Sequence, residues 1–292
     1  MPKGGHATLK VRHTTRFDYS APVLLSHNVL RLTPMDSTLQ TVKAMSLSID
    51  PSCQPVPHRD YFGNVVHHFN LVAPHEFLEI VSESTVETVN AICTGPEDGS
   101  DDPRPFEQRF AEFLAWSKGV PELAEYATVP PAHEIRMEMG ESEFEQSLVD
   151  VARFFYKNFR YDPDVTNVHS SPKALFEHGG GVCQDMAHAL IGVLRLAGIP
   201  ARYVSGYIYD PKKKDEEGEH VRGAAATHAW VQAWHGKFGW VGIDPTNDKL
   251  VDWQYVRTAY GRDYYDVLPV GGLFRGQAEQ RLQVAVQVKR LS

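Results

Sequence analysis

The feature that most constrains this chain is a change of hydrophobic period part-way along it. Up to about residue 90, apolar residues recur near period two. LKVRHTTRFDY (9–19), VKAMSLSID (42–50), NVVHHFNLV (64–72) and FLEIVSESTVETV (77–89) are rich in β-branched or aromatic residues, and 85–89 alternates without a break. Successive side chains of an extended chain point to opposite faces, so each segment makes a strand with one apolar face. DYFGN (60–64) supplies a hairpin turn between two of them. Such faces must be buried against another layer, and an antiparallel β-sandwich over 1–95 is expected.

Between about 142 and 197 the period becomes helical. Phe144, Leu148, Val151, Phe155 and Phe159 mark one face, with Ser142 and Glu145 at capping-box spacing. Ser171-Pro172 opens a short helix that Gly179 closes. From Cys183, an apolar stripe of Met186, Ala187, Leu190, Val193, Leu194 and Ala197 runs to Gly198-Ile199-Pro200. Strands return at 201–209, 227–234, 239–244 and 281–288. The polar stretch TGPEDGSDDPRP (94–105) reads as a linker, followed by a helix over 107–116. The expected organisation is α+β: a sandwich at 1–95, a connector at 96–139 and a second unit at 140–292.

Composition excludes some functions. The net charge is −8, and the one basic cluster, Lys212-Lys213-Lys214, is answered by Asp215-Glu216-Glu217. That argues against nucleic acid as a partner. The first residues, MPKGGHATLKVRH, lack an apolar signal core, and no apolar run is as long as a membrane span. Three cysteines are too few for a disulfide framework. A cytoplasmic protein with no membrane partner and reduced thiols is expected.

One of those cysteines stands in GGGVCQDMAHAL (179–190). The glycines let the backbone turn tightly into the helix and leave room beside the thiol. A helix N-terminus offers unpaired N–H groups and partial positive charge, which suit a thiolate and a developing oxyanion. The plain alternative is a small buried cysteine. A nucleophile needs a base. His188 lies five residues on, far around the helix, and is spaced to pair with Asp185 instead. THAWVQAW (227–234) offers His228, and GWVGIDPTN (239–247) offers Asp244 at the end of the next strand. Adjacent antiparallel strands can set those two side by side, with Cys183 at the other imidazole nitrogen. Taken singly, His228 also reads as a core histidine and Asp244 as a turn aspartate before proline.

GGGVCQDMAH, THAWVQAW and GWVGIDPTN resemble the three motif blocks of the transglutaminase-like superfamily, whose catalytic core is papain-like. RHTTRFDYS, LRLTP and RDYFGNVVHHF resemble the N-terminal β region of its bacterial members, and GRDYYDVLPVGGLFRG (261–276) their C-terminal segment. Thr227 replaces the usual serine before the histidine, and Gln232-Ala233 a more acidic pair. The resemblance implies a papain-like core behind an N-terminal β-sandwich. It makes Cys183 the nucleophile, His228 the general base and acid, and Asp244 the orienting group. It implies acyl transfer on an amide of a peptide or protein substrate through a thioester, as a peptidase or amidase. Transamidation and a non-catalytic binding scaffold are the alternatives. For the second oxyanion donor it points to an aromatic or amide side chain upstream of the cysteine; Tyr161 in FRYDP is the candidate and also reads as a structural aromatic, while Gln184, next to Cys183, offers a backbone N–H or its side chain.

No cofactor or metal is expected. His67 and His68 are adjacent and face opposite ways in a strand, while His75-Glu76 and His133-Glu134 lack the second histidine of a zinc helix. The mixed charge run 210–222 reads as a solvated loop, or as one overhanging the cleft beside His228. Trp230, Trp234 and Trp240 read either as walls of a substrate tunnel or as core.

Overall fold

The structure, a computed structural model, describes residues 5–91, 93–95, 104–166, 170–212, 221–224 and 226–291. Six strands come first: β1 (His6–Val23), β2 (Leu25–Leu30), β3 (Gln40–Asp50), β4 (Val56–Arg59), β5 (Val65–Leu71) and β6 (His75–Val89). Two single-turn helices follow, α1 (Phe106–Arg109) and α2 (Ala111–Leu114). Then come α3 (Glu141–Asn158), β7 (Arg160–Tyr161), α4 (Pro172–His178), β8 (Gly180–Gly181) and α5 (Cys183–Leu196). A second set of strands is β9 (Ala201–Ile208), β10 (His228–His235), β11 (Gly239–Asp244), β12 (Lys249–Leu250) and β13 (Tyr255–Gly261). The last elements are α6 (Tyr264–Val267), β14 (Val270–Arg275) and β15 (Gln280–Arg290).

The N-terminal strands form two antiparallel four-stranded sheets, ordered β15-β1-β6-β3 and β14-β2-β5-β4. Leu30, Leu32, Phe69, Leu78 and Ile80 fill the space between them. The turn at 60–64 forms as its residues dictate. Asp60 Oδ1 accepts from the backbone N–H of Phe62 and Asn64 at 3.0 Å each, and Gly63 takes φ 83°. The expected boundaries change at both ends. The unit expected at 140–292 ends before β14 and β15, which complete the two sandwich sheets. Alternation identifies a strand but not its partner, because pairing is set by residues far away in sequence. Most of the linker, 96–103, lies outside the described residues. The connector beyond it is core rather than spacer: Val120, Tyr126, Val129 and Ile135 are fully buried with α3 and α5.

The other unit is an antiparallel sheet, β12-β11-β10-β9-β13, packed against α5. The stripe expected on α5 is too narrow a description. Every residue from Cys183 to Arg195 is buried, as befits a helix surrounded on all sides. Arg195 is accommodated because its guanidinium donates to the carbonyls of Phe113, Ala115, Ala201 and Arg262. Ser142 does not cap α3; the helix begins at Glu141, with Gly140 at the cap. The short helix α4 forms as read, with Ser171 Oγ accepting from Lys173 N and Gly179 left-handed at φ 64°.

The units share an interface in which Leu9, Val11, Val86 and Val286 of the sandwich pack on Tyr207 and Val256 of the five-stranded sheet. Two buried amides close the free edge of β13. Gln40 pairs both ways with the backbone of Arg257, at 2.8 Å each, and Asn64 both ways with that of Tyr260, at 2.9 Å each. Each amide acts as a fragment of the missing neighbouring strand.

Candidate active site

The glycine run places the thiol. Gly179 ends α4, and Gly180 and Gly181 pair in parallel with Arg160 and Tyr161. Gly181 must lack a side chain, since a Cβ there would sit 2.7 Å from Asp185 Oδ2. That carboxylate accepts from Val182 N at 2.8 Å and from Thr166 Oγ1 at 2.6 Å, which fixes the start of α5. Asp185 therefore caps the helix and does not pair with His188, as the spacing had suggested. His188 Nε2 accepts from Tyr264 N at 3.0 Å instead. Cys183 is thus the first residue of α5, 9% exposed. Cys183 and Gln184 lie in the first turn of α5, at its partially positive end.

Cys183, His228 and Asp244 come together although α5, β10 and β11 are separate elements. β10 and β11 pair antiparallel, with Val231 opposite Ile243, so the start of β10 lies beside the end of β11. His228 Nε2–H donates to Asp244 Oδ2 at 2.7 Å, with both side chains fully buried. The other ring nitrogen, Nδ1, carries no formed hydrogen bond. Cys183 is the neighbour whose charge and incipient hydrogen bond reach that ring.

The electrostatics of the pair follow from burial and partners. Burial alone disfavours the His228 cation. The Asp244 charge and hydrogen bond, with the thiol behind them, outweigh it and raise His228 to about 10. Asp244 is likewise penalised by burial, yet it is held below the ordinary carboxylate range by His228 and by bonds from Asn247 and Tyr255. Asn247 Nδ2 donates to Asp244 Oδ2 at 2.8 Å and Tyr255 Oη at 2.7 Å, while Thr246 N donates to Oδ1 at 2.8 Å. The sequence reading missed Tyr255 and Asn247. Asn247 stands three residues after Asp244 in the turn, a spacing that hints at such a bond. Tyr255 comes from β13, and no local signal marks it.

Tyr161 is brought to the site by its pairing with Gly181. Burial, then the charges of Cys183 and Asp244, push its hydroxyl up to about 12, against the opposing effect of Arg222. It therefore stays protonated as a potential donor beside the thiol. Burial, and after it the nearby Cys183, also raises the hydroxyls of Tyr203 and Tyr264. Gln184 is buried at 7% exposure.

Of the charged run 210–222, residues 213–220 lie outside the described residues, and its end forms part of the site. Arg222 is tied to Asn247 by two hydrogen bonds, N–H to Oδ1 at 3.0 Å and Nδ2 to its carbonyl at 3.2 Å. Its guanidinium lies 4.4 Å from the centre of the Tyr156 ring, with Nη1 buried and unpartnered. Gly223 lies against the His228 ring at φ 84°, where a Cβ would come 2.3 Å from Nδ1. The tryptophans are core. Trp230 is fully buried, and Trp234 and Trp240 pack with Phe110. Among the described residues, no group of three or more His, Cys, Asp or Glu is placed to hold a metal ion, and no helix is long and apolar enough to cross a membrane.

Comparison with known proteins gives the family of the chain. Residues 9–87 match the bacterial transglutaminase-like N-terminal region, and residues 133–245 match the transglutaminase-like superfamily core. A protein of Mycobacterium leprae, designated ML0607, is 37% identical over 97% of this chain and 99% of its own. A protein of Mycobacterium tuberculosis, designated Rv2569c, is 33% identical over 99% of this chain and 94% of its own. A Pseudomonas aeruginosa protein-glutamine gamma-glutamyltransferase is 36% identical over 32% of this chain and 14% of its own. A crystal structure from Cytophaga hutchinsonii, provisionally described as a cysteine protease, shares the fold at TM-score 0.72 and 19% identity, covering 98% of this chain and 91% of that one. The chain belongs to the transglutaminase-like superfamily, with the N-terminal β region of its bacterial members.

Proposed function

We propose that this protein is a cysteine-dependent enzyme that transfers the acyl group of a peptide or protein amide, ordinarily to water. The carrying observation is the buried His228–Asp244 pair at 2.7 Å, beside a cysteine at a helix N-terminus. Cys183 Sγ attacks the amide carbonyl, and the oxyanion is met by N–H groups at the start of α5 and by the Tyr161 hydroxyl. His228, held in one tautomer by Asp244, protonates the leaving amine as the C–N bond breaks. The resulting thioester is released when His228 draws a proton from the incoming nucleophile.

Water competes for that thioester at about 55 M, so transfer to an amine requires a site that concentrates the amine. Hydrolysis, as a peptidase or amidase, is the reading advanced. The partial match to a protein-glutamine gamma-glutamyltransferase favours transamidation as the second. A scaffold role sits poorly with three intact site residues. A working thiol suits the reducing cytoplasm, which is proposed as the compartment. The deciding measurement starts from an amide substrate found by peptide-library profiling. Product partitioning is followed as a primary amine is titrated in, and hydrolysis is expected to dominate. Capture of most of the acyl group by low millimolar amine would make the enzyme a transferase. No turnover on any library member, with Cys183 alkylating no faster than Cys53 or Cys93, would return it to a scaffold.

A further inference from the structure

Sheet edges are treated unequally in this molecule. The free edge of β13 is closed by the amides of Gln40 and Asn64. On β3, another edge strand, Lys43 forms an ion pair with Glu87. β15 is the outermost strand of its sheet and, among the described residues, has neither device over its central residues. From Leu282 to Val288 the sequence LQVAVQV is uncharged. Leu282 is 54% exposed and Val284 41% exposed, on the same face as Val286, which is buried in the interface with the catalytic sheet.

The pairing of β15 with β1 shows which backbone groups remain. Ser20 N donates to the Glu279 carbonyl, and Leu291 N donates to the Thr8 carbonyl. In an antiparallel ladder the inward groups belong to every second residue, here the odd-numbered ones. The N–H and C=O of residues 280, 282, 284, 286 and 288 therefore point away from the sheet. That is a regular, unpaired edge of the kind that templates another strand.

The geometry points to a second copy of this chain as the occupant, with the two β15 strands paired antiparallel about a two-fold axis at Val284. In that register Val284 faces Val284 of the second copy, and Leu282 faces its Val286, so the exposed apolar side chains continue the buried face across the junction. Gln283 faces Ala285, and Arg281 faces Gln287. Glu279 and Lys289 of opposite copies meet as unlike charges. Moving the axis one residue, to Ala285, would set Arg281 against Lys289, two cations in direct opposition. The pairing satisfies the outward groups of both strands with about ten hydrogen bonds and joins the two four-stranded sheets edge to edge. It is independent of the catalytic reading.

Sedimentation equilibrium of the full chain is expected to give a dimer that dissociates on dilution. Val284→Lys is expected to be monomeric with unchanged near-ultraviolet circular dichroism. Val284→Cys is expected to form a disulfide-linked dimer under mild oxidation. Leu282→Cys is not, because its counterpart then lies four residues along, about 13 Å away. A wild-type monomer at every concentration, a dimer that survives Val284→Lys, open-ended aggregation, or equal cross-linking of the two cysteine variants would each overturn the assignment.

Discussion

The sandwich and the five-stranded unit each bury a histidine from a strand, and the two are shifted in opposite directions. His13 on β1 is 1% exposed at the interface between the units. Its Nδ1 lies 3.1 Å from Tyr207 Oη and its Nε2 2.8 Å from Thr15 Oγ1. Both partners are neutral, so burial decides, and His13 is lowered to about 4. His228 is equally buried, but a carboxylate 2.7 Å away reverses the sign and raises it to about 10. Burial sets how strongly a neighbour's charge is felt, and the neighbour sets the direction. Burial therefore favours the neutral form of His13, and the Asp244 carboxylate favours the cation of His228.

The contrast breaks most completely in activity. Cys183→Ala and His228→Ala are each expected to reduce turnover to background, while His13→Gln leaves it nearly unchanged. Removing His228 also strands the Asp244 carboxylate, and breaking a buried pair this way costs about 3–5 kcal/mol. Soluble expression and a cooperative melt must accompany that result. Asp244→Asn keeps the shape and loses the charge, with an expected loss on the order of a thousandfold. Full activity in Asp244→Ala would remove the orienting role altogether. Gly223→Ala sharpens the picture by moving only geometry. A Cβ 2.3 Å from His228 Nδ1 must displace the ring or the loop. A fall of about a hundredfold is expected in kcat/KM, together with a lowered Tm, because alanine is strained at φ 84°.

Stability against pH separates the two regions by sign. His13 is lowered in the fold, so its contribution is present above pH 6.5 and is lost as pH falls toward 4, by about 3 kcal/mol at the limit. His13→Gln should flatten that acid limb of the Tm profile. His228 is raised, so its contribution is full below 6.5 and is lost as pH rises toward 10. The Tm gap between wild type and Asp244→Asn should narrow over that range. A gap that widens would mean His228 is neutral in the native state. The smallest effect expected is in thiol labelling. Cys183 should alkylate with iodoacetamide about tenfold faster than Cys53 or Cys93 at neutral pH, and His228→Ala should erase the difference. Peptide mapping after brief exposure reads it directly.

The sequence by itself determined what depends on near neighbours along the chain. Alternation over 77–89, the Asp60–Gly63 turn, Ser171 and Gly179 at the ends of α4, and the glycines before Cys183 all act through atoms a few residues apart. They were legible for that reason. The three site residues were legible because each stands in a recognisable local block, although none of those blocks contains its own partner. Tertiary structure alone decided the long-range matters. β15 reads as a strand anywhere, and only its register with β1 makes it part of the sandwich and not of the five-stranded sheet. Asp185 and His188 have the spacing of a pair, yet a bare N–H at the helix start claimed one and Tyr264 the other. His13 and His228 look alike in sequence. What separates their charge states is whether folding brings a carboxylate or a phenol to the ring, because at these distances inside a protein the electrostatics depend on proximity in space and not along the chain.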